Sequence, residues 1–120
     1  MLLARMVTQW AEPKPDEIAI TYGDRNWTWA QWNDRIRRVA GALRAAGIER
    51  GGRIAFLDKN NPACLEATFA AASIGAAMGI LNCRFAGDEL DFVINDCDAR
   101  VLFVGAELVP NIEAIRDRLP

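Results

Sequence analysis

Three short, nearly continuous apolar runs constrain this chain most: Arg53-Ile54-Ala55-Phe56-Leu57, Ala77-Met78-Gly79-Ile80-Leu81 and Val101-Leu102-Phe103-Val104. None alternates apolar with polar residues, so each reads as a strand covered on both faces, the habit of parallel sheets. Parallel neighbours need crossovers, and the intervals between the runs carry helical patterns rather than hairpin turns. Right-handed crossovers then place helices on the faces of the sheet. The expected fold class is α/β: a βαβαβ parallel sheet with flanking helices, preceded by an N-terminal helix and a β-hairpin.

The connecting segments carry their own punctuation. Leu2, Leu3, Met6, Val7 and Trp10 are spaced for one face of a short helix, and Pro13 and Pro15 stop it. Residues 17–28 read as a hairpin turning at Gly23-Asp24. Thr28 and Gln31 form an S/T-x-x-E/Q capping box that opens a long helix. Its apolar stripe is Trp29, Trp32, Ile36, Val39, Leu43 and Ala46, with Arg35, Arg37, Arg38 and Arg44 mostly off it as solvated charges and Gly47 as the stop. Trp27, Trp29 and Trp32 read as core packing rather than a binding surface.

Asn61 and Pro62 cap and begin a helix over roughly 62–76 whose only charge is Glu66. A lone glutamate there could act as a catalytic carboxylate, but dipole compensation or solvation accounts for it more simply. A loop over 82–87 leads to a short helix with Leu90, Val93 and Ile94 inward, and a last helix around 108–119 presents Ile112, Ile115 and Leu119.

Composition narrows the chemistry. At 120 residues the chain is one domain in size, and its net charge of −2 makes no case for nucleic acid or an anionic membrane surface. Cys64, Cys83 and Cys97 lack CxxC spacing, and no histidine exists to complete a zinc site or a nucleophile pair. They read as buried free thiols of a reducing cytoplasm. The opening helix lacks a secretory core, and the longest uncharged run, Ala67 to Cys83, is too short and too interrupted to span a bilayer. The loop Asp58-Lys59-Asn60-Asn61 follows a strand and precedes a helix, where phosphate-cradling glycines would stand, yet it has none. Gly51-Gly52 precedes a strand, and the acid pairs Asp88/Glu89 and Asp96/Asp98 read as cap and turn residues. The residues alone nominate no catalytic group and no metal ligand set.

Motifs taken in order say more. Pro15-Asp16, Ile18-Ala19-Ile20, Tyr22-Gly23-Asp24-Arg25 and Trp27-Thr28-Trp29 come first. Then follow Ala40, Leu43, Gly47-Ile48, Gly51 and Arg53-Ile54-Ala55; Asn61-Pro62; Phe69-Ala70-Ala71; and Ile74-Gly75-Ala76. Leu81-Asn82, Arg84-Phe85, Glu89-Leu90 and Ala99-Arg100-Val101-Leu102-Phe103-Val104 complete the series. Over residues 15–105 this succession resembles the adenylate-forming acyl-CoA synthetases, nearest to fatty-acid and other carboxylate–CoA ligases.

The resemblance implies that residues 1–120 are the N-terminal portion of an AMP-binding domain. It implies ATP-dependent activation of a carboxylate, with a fatty acid as the expected substrate, to an acyl-adenylate, followed by transfer to CoA. ATP, CoA and Mg2+ would serve the longer enzyme, with none held tightly by this chain. The phosphate loop, adenine and ribose contacts and catalytic lysine of relatives lie downstream, so the chain alone is expected to be inactive and to need that remainder as partner. Arg84 is the one site residue carried over, as a contact to a CoA phosphate. Gly52 stands where the family has aspartate, and Ile80 and Cys83 replace two prolines beside Leu81-Asn82. The competing expectation is a standalone, non-catalytic α/β binding or interaction module; uncovered apolar surface, with self-association through it, would mark a fragment instead.

Overall fold

A computed structural model describes residues 2–120. It runs α1 (Leu3–Ala11), β1 (Ile18–Tyr22), β2 (Arg25–Thr28), α2 (Trp29–Ala45), β3 (Arg53–Leu57), α3 (Pro62–Ser73), β4 (Ala77–Ile80), α4 (Gly87–Asp96), β5 (Val101–Val104) and α5 (Val109–Glu113). Strands β1 and β2 form an antiparallel hairpin. The main sheet has the order β4-β3-β5, parallel throughout, so the second crossover passes back over β3. Side chains alternate across β3: Ile54 and Phe56 join the core beneath α2 and α3, whereas Ala55 and Leu57 join the core beneath α4 and the C-terminal turns.

Helix ends steer the chain into the sheet. The capping box forms, with Gln31 N–H donating to Thr28 Oγ1 at 3.2 Å and Thr28 N–H to Gln31 Oε1 at 2.9 Å. Helices α2 and α3 both end in a Schellman turn. Ile48 N–H reaches Leu43 O at 3.0 Å, and Ala76 N–H reaches Ala71 O at 2.9 Å. Gly47 at φ 84° and Gly75 at φ 74° supply the left-handed residue each turn requires.

Several expectations are corrected. The buried face of α2 is Trp32, Ile36, Ala40 and Leu43; Trp29 and Val39 are half-buried and Ala46 is exposed. A stripe continued at 3-4-3 spacing drifts off the face, which puts Ala40 under cover instead of Ala46. The tryptophans do pack: Trp10 stacks on Trp29 at 6.2 Å, Trp29 meets Trp32 at 6.1 Å, and Trp32 meets the edge of Phe69 at 5.6 Å. Cys64, Cys83 and Cys97 are free but half-buried, and desolvation pushes the Cys64 thiol above its usual range. The terminal helix shortens to α5 between two 3-10 turns, Ala106–Leu108 and Arg116–Arg118. Its last bonds tighten to three-residue spacing, Arg118 N–H to Ile115 O and Leu119 N–H to Arg116 O, with Ile115 sunk into the core.

Glu66 is neither solvated nor compensating a dipole. It is 4% exposed, and both of its oxygens accept from Arg35 on α2: Nε to Oε1 at 2.6 Å and Nη2 to Oε2 at 3.2 Å. Arg35, read from the sequence as a solvated charge, is therefore part of the packing between α2 and α3. This hydrogen bond, before any other influence, raises the guanidinium above its ordinary pKa.

Candidate functional site

In open α/β sheets, ligands settle beyond the carboxyl ends of the strands at the point where the strand order reverses. In the order β4-β3-β5 that point lies between β3 and β5, where the Asp58 carboxylate already sits against Gly105. After β3 the chain passes to the side of α2 and α3, and after β4 to the side of α4. A cleft opens beside that point, between the loops that follow β3 and β4, lined by Asp58, Lys59 and Asn60 from the first loop and Ile80, Leu81, Asn82 and Cys83 from the second.

The first loop explains its own lack of glycine. Asp58 Oδ1 accepts Lys59 N–H at 2.7 Å, while Asn61 Nδ2 donates to Asp58 Oδ2 at 2.7 Å and to Lys59 O at 2.9 Å. Asn61 Oδ1 takes the orphan Ala63 N–H at 2.9 Å. Side chains thus close the turn that backbone amides would otherwise leave open to a phosphate. Asp58 also lies against Gly105, just past β5, where a Cβ would collide with its carboxylate. Lys59 Nζ pairs with Glu107, which raises the Lys59 pKa chiefly through that hydrogen bond; both groups are well exposed, so the pair adds little stability. No local pattern signals this link, because its partners lie 48 residues apart.

The second loop holds Arg84. Its backbone N–H donates to Asn82 Oδ1 at 3.0 Å, and Phe85 N–H donates to Asn82 O at 3.0 Å. Buried Leu81 and half-buried Phe85 anchor either side in the core beneath α4. Asparagine and two apolar anchors therefore set the turn where the two prolines are missing. The Arg84 side chain is exposed beside the cleft and, among the described residues, makes no hydrogen bond or ion pair. Its five donors face solvent.

The cleft sets the Lys59 ammonium and the Asn60 and Asn82 amides beside the Asp58 carboxylate, with Arg84 at its rim. Among the described residues no three His, Cys, Asp or Glu side chains converge to hold a metal ion. No described helix is long and apolar enough to cross a membrane.

Comparison with known proteins places this geometry. The family model described as AMP-binding enzyme matches residues 7–120. Indoleacetate–CoA ligase of Aromatoleum aromaticum is 36% identical over 119 residues, which cover 99% of this chain and 23% of that protein. Long-chain-fatty-acid–CoA ligase of Thermus thermophilus is 38% identical over 92 residues, 77% of this chain and 17% of that protein. The solved fatty acyl CoA synthetase of Mycobacterium tuberculosis superposes with a TM-score of 0.90 at 34% identity, over 95% of this chain and 23% of that one. The chain spans about a fifth of the length of the curated relatives it matches. With a fold that superposes on a solved ligase and a family match over most of its length, the chain belongs to the AMP-binding enzyme family and is homologous to acyl-CoA ligases along nearly all of its length.

Proposed function

We propose that these residues form the N-terminal portion of an AMP-forming carboxylate–CoA ligase. In the proposed reaction, a carboxylate oxygen attacks the α-phosphorus of ATP and pyrophosphate leaves. The CoA thiol then attacks the acyl carbonyl, giving the thioester and AMP. The observation that carries this reading is the family match from residue 7 to residue 120. Mg2+ would shield triphosphate charge in the longer enzyme, and no step is assigned to it through this chain's residues. The proposed acid is a fatty acid, the substrate named for the Thermus and Mycobacterium relatives; the relative named for indoleacetate marks aromatic acids as the competing class. Assay of the longer ligase containing these residues against both classes tests the choice. A preference for aromatic acids would reject the fatty-acid reading, and no carboxylate-dependent pyrophosphate release would reject the ligase.

Within that reading, Arg84 contacts a phosphate of CoA. Its exposed guanidinium beside the cleft between the β3 and β4 loops supports this role, and a guanidinium fork suits phosphate. Arg84→Ala in the longer ligase is expected to raise the apparent KM for CoA roughly 10- to 150-fold while leaving acyl-adenylate formation nearly unchanged. Equal damage to both half-reactions would make Arg84 structural.

A further inference from the structure

Along one flank of α2, a depression opens between β2 and α2, lined by Arg25, Asn26, Trp27, Gln31, Asp34, Arg35 and Arg38. None of these residues belongs to the cleft between β3 and β4. We propose that this depression is a binding site for a phosphate-bearing anion.

Its groups are held in place before any ligand arrives. Arg35 spends Nε and Nη2 on Glu66, which leaves Nη1 free on a guanidinium that cannot swing away. Arg38 Nε is held by Asp34 Oδ2 at 2.8 Å, leaving its two terminal nitrogens. The Trp27 ring flanks two of the cations, with the Arg25 guanidinium 4.9 Å and the Arg35 guanidinium 5.5 Å from its centre. Among the described residues Arg25 has no carboxylate partner.

Most acceptors of the depression already meet a donor of the protein. Gln31 Oε1 takes Thr28 N–H, an assignment the donor-only backbone amide dictates, so its NH2 remains. Asn26 Oδ1 takes the Thr21 hydroxyl at 2.6 Å, leaving its NH2 as well. Both Glu66 oxygens are bound by Arg35, and one Asp34 oxygen is bound by Arg38. What remains for a ligand is donors from three arginines and two amides, against the exposed Asp34 carboxylate, whose charge Arg38 offsets. The two sides of the depression are also fixed to each other: Trp29 N–H donates to Glu17 O and Ala30 N–H to Pro15 O, both at 3.0 Å, on top of the capping box.

Donors converging from two elements exceed what one planar carboxylate accepts, and match the several oxygens of a phosphate. A free phosphate ester and a phospholipid headgroup share that chemistry, and the test separates them.

Inorganic pyrophosphate is titrated into the 15N-labelled 120-residue chain at low ionic strength, with sodium chloride of equal ionic strength as control. The expected result is a saturable shift of the Trp27 indole N–H signal that chloride does not reproduce. Arg25→Gln and Arg38→Gln should each weaken the apparent affinity about 10-fold or more, and Arg25→Lys less, because charge remains without the fork. Both arginines are exposed and outside the core, and far-UV circular dichroism verifies that each variant keeps its fold. Sedimentation with phosphatidic acid vesicles, against phosphatidylcholine vesicles, identifies the source. Vesicle binding lost in Arg25→Gln assigns a headgroup, and pyrophosphate binding without vesicle binding assigns a soluble ester. A shift equal to that in chloride, or wild-type binding in both glutamine variants, overturns the site.

Discussion

The two faces of the sheet are built to different standards. One carries α2, 17 residues long and closed at both ends by side-chain and glycine caps, and α3, 12 residues long with Asn61 and Pro62 at its start. The aromatic series from Trp10 to Phe69 and the Arg35–Glu66 pair lock these helices together. The other face carries α4, only 10 residues and without a side-chain N-cap, and a terminal segment broken into α5 and 3-10 turns. The difference teaches where stability and adaptability reside. The first face can resist a cavity but not relax around it, whereas the second can close over one.

Matched truncations test this most severely. Leu43→Ala and Leu90→Ala remove nearly the same fully buried side chain from opposite faces. Leu43→Ala should approach the upper end of the range of about 2–5 kcal/mol and Leu90→Ala the lower end, read as urea midpoints at constant m-value. Equal losses, or a reversed order, would break the comparison. Arg35→Ala comes next. It strands a buried carboxylate, for which breaking a fully buried pair costs about 3–5 kcal/mol; Arg35 is 44% exposed, so about 2–3 kcal/mol is expected after solvent screening. A loss under about 0.5 kcal/mol would make the pair ornamental and the first face less tightly held than described. The smallest effects concern caps. Thr28→Ala should cost about 1 kcal/mol, and Ala86→Ser, placed at the extended N-cap of α4, should add about 0.5–1 kcal/mol. Failure of the serine to stabilise would mean that something other than a missing cap limits the second face.

What the sequence disclosed follows the range of the interactions involved. Thr28 with Gln31, Asn61 with Pro62, and Gly47 are local signals, and the structure places each where its chemistry requires. The three apolar runs likewise became β3, β4 and β5, but only the central β3 is buried on both faces. At the sheet edge β4 exposes Ala77 and Ile80, and β5, at the other edge, is half-buried throughout, so apolar runs marked the strands without marking their cover. Glu66 was misread because its partner lies 31 positions away on another helix, and no spacing rule joins them. The cleft was legible only as a loop without glycines; that Asp58 and Asn61 close it, and that Asp58 presses on Gly105, depends on strands meeting in space. The terminal segment kept its inward residues Ile112, Ile115 and Leu119 but not its continuous helix, since packing Ile115 into the core overrode local propensity.

The run of rings from Trp10 through Trp29 and Trp32 to Phe69 also has an optical consequence. Indoles held about 6 Å apart in fixed mutual orientation couple their electronic transitions, so the folded chain should show a two-signed near-ultraviolet dichroism band. Because Trp10 belongs to α1 and Trp29 to α2, the part of that band lost in Trp10→Phe reports whether the first helix is docked, without any label.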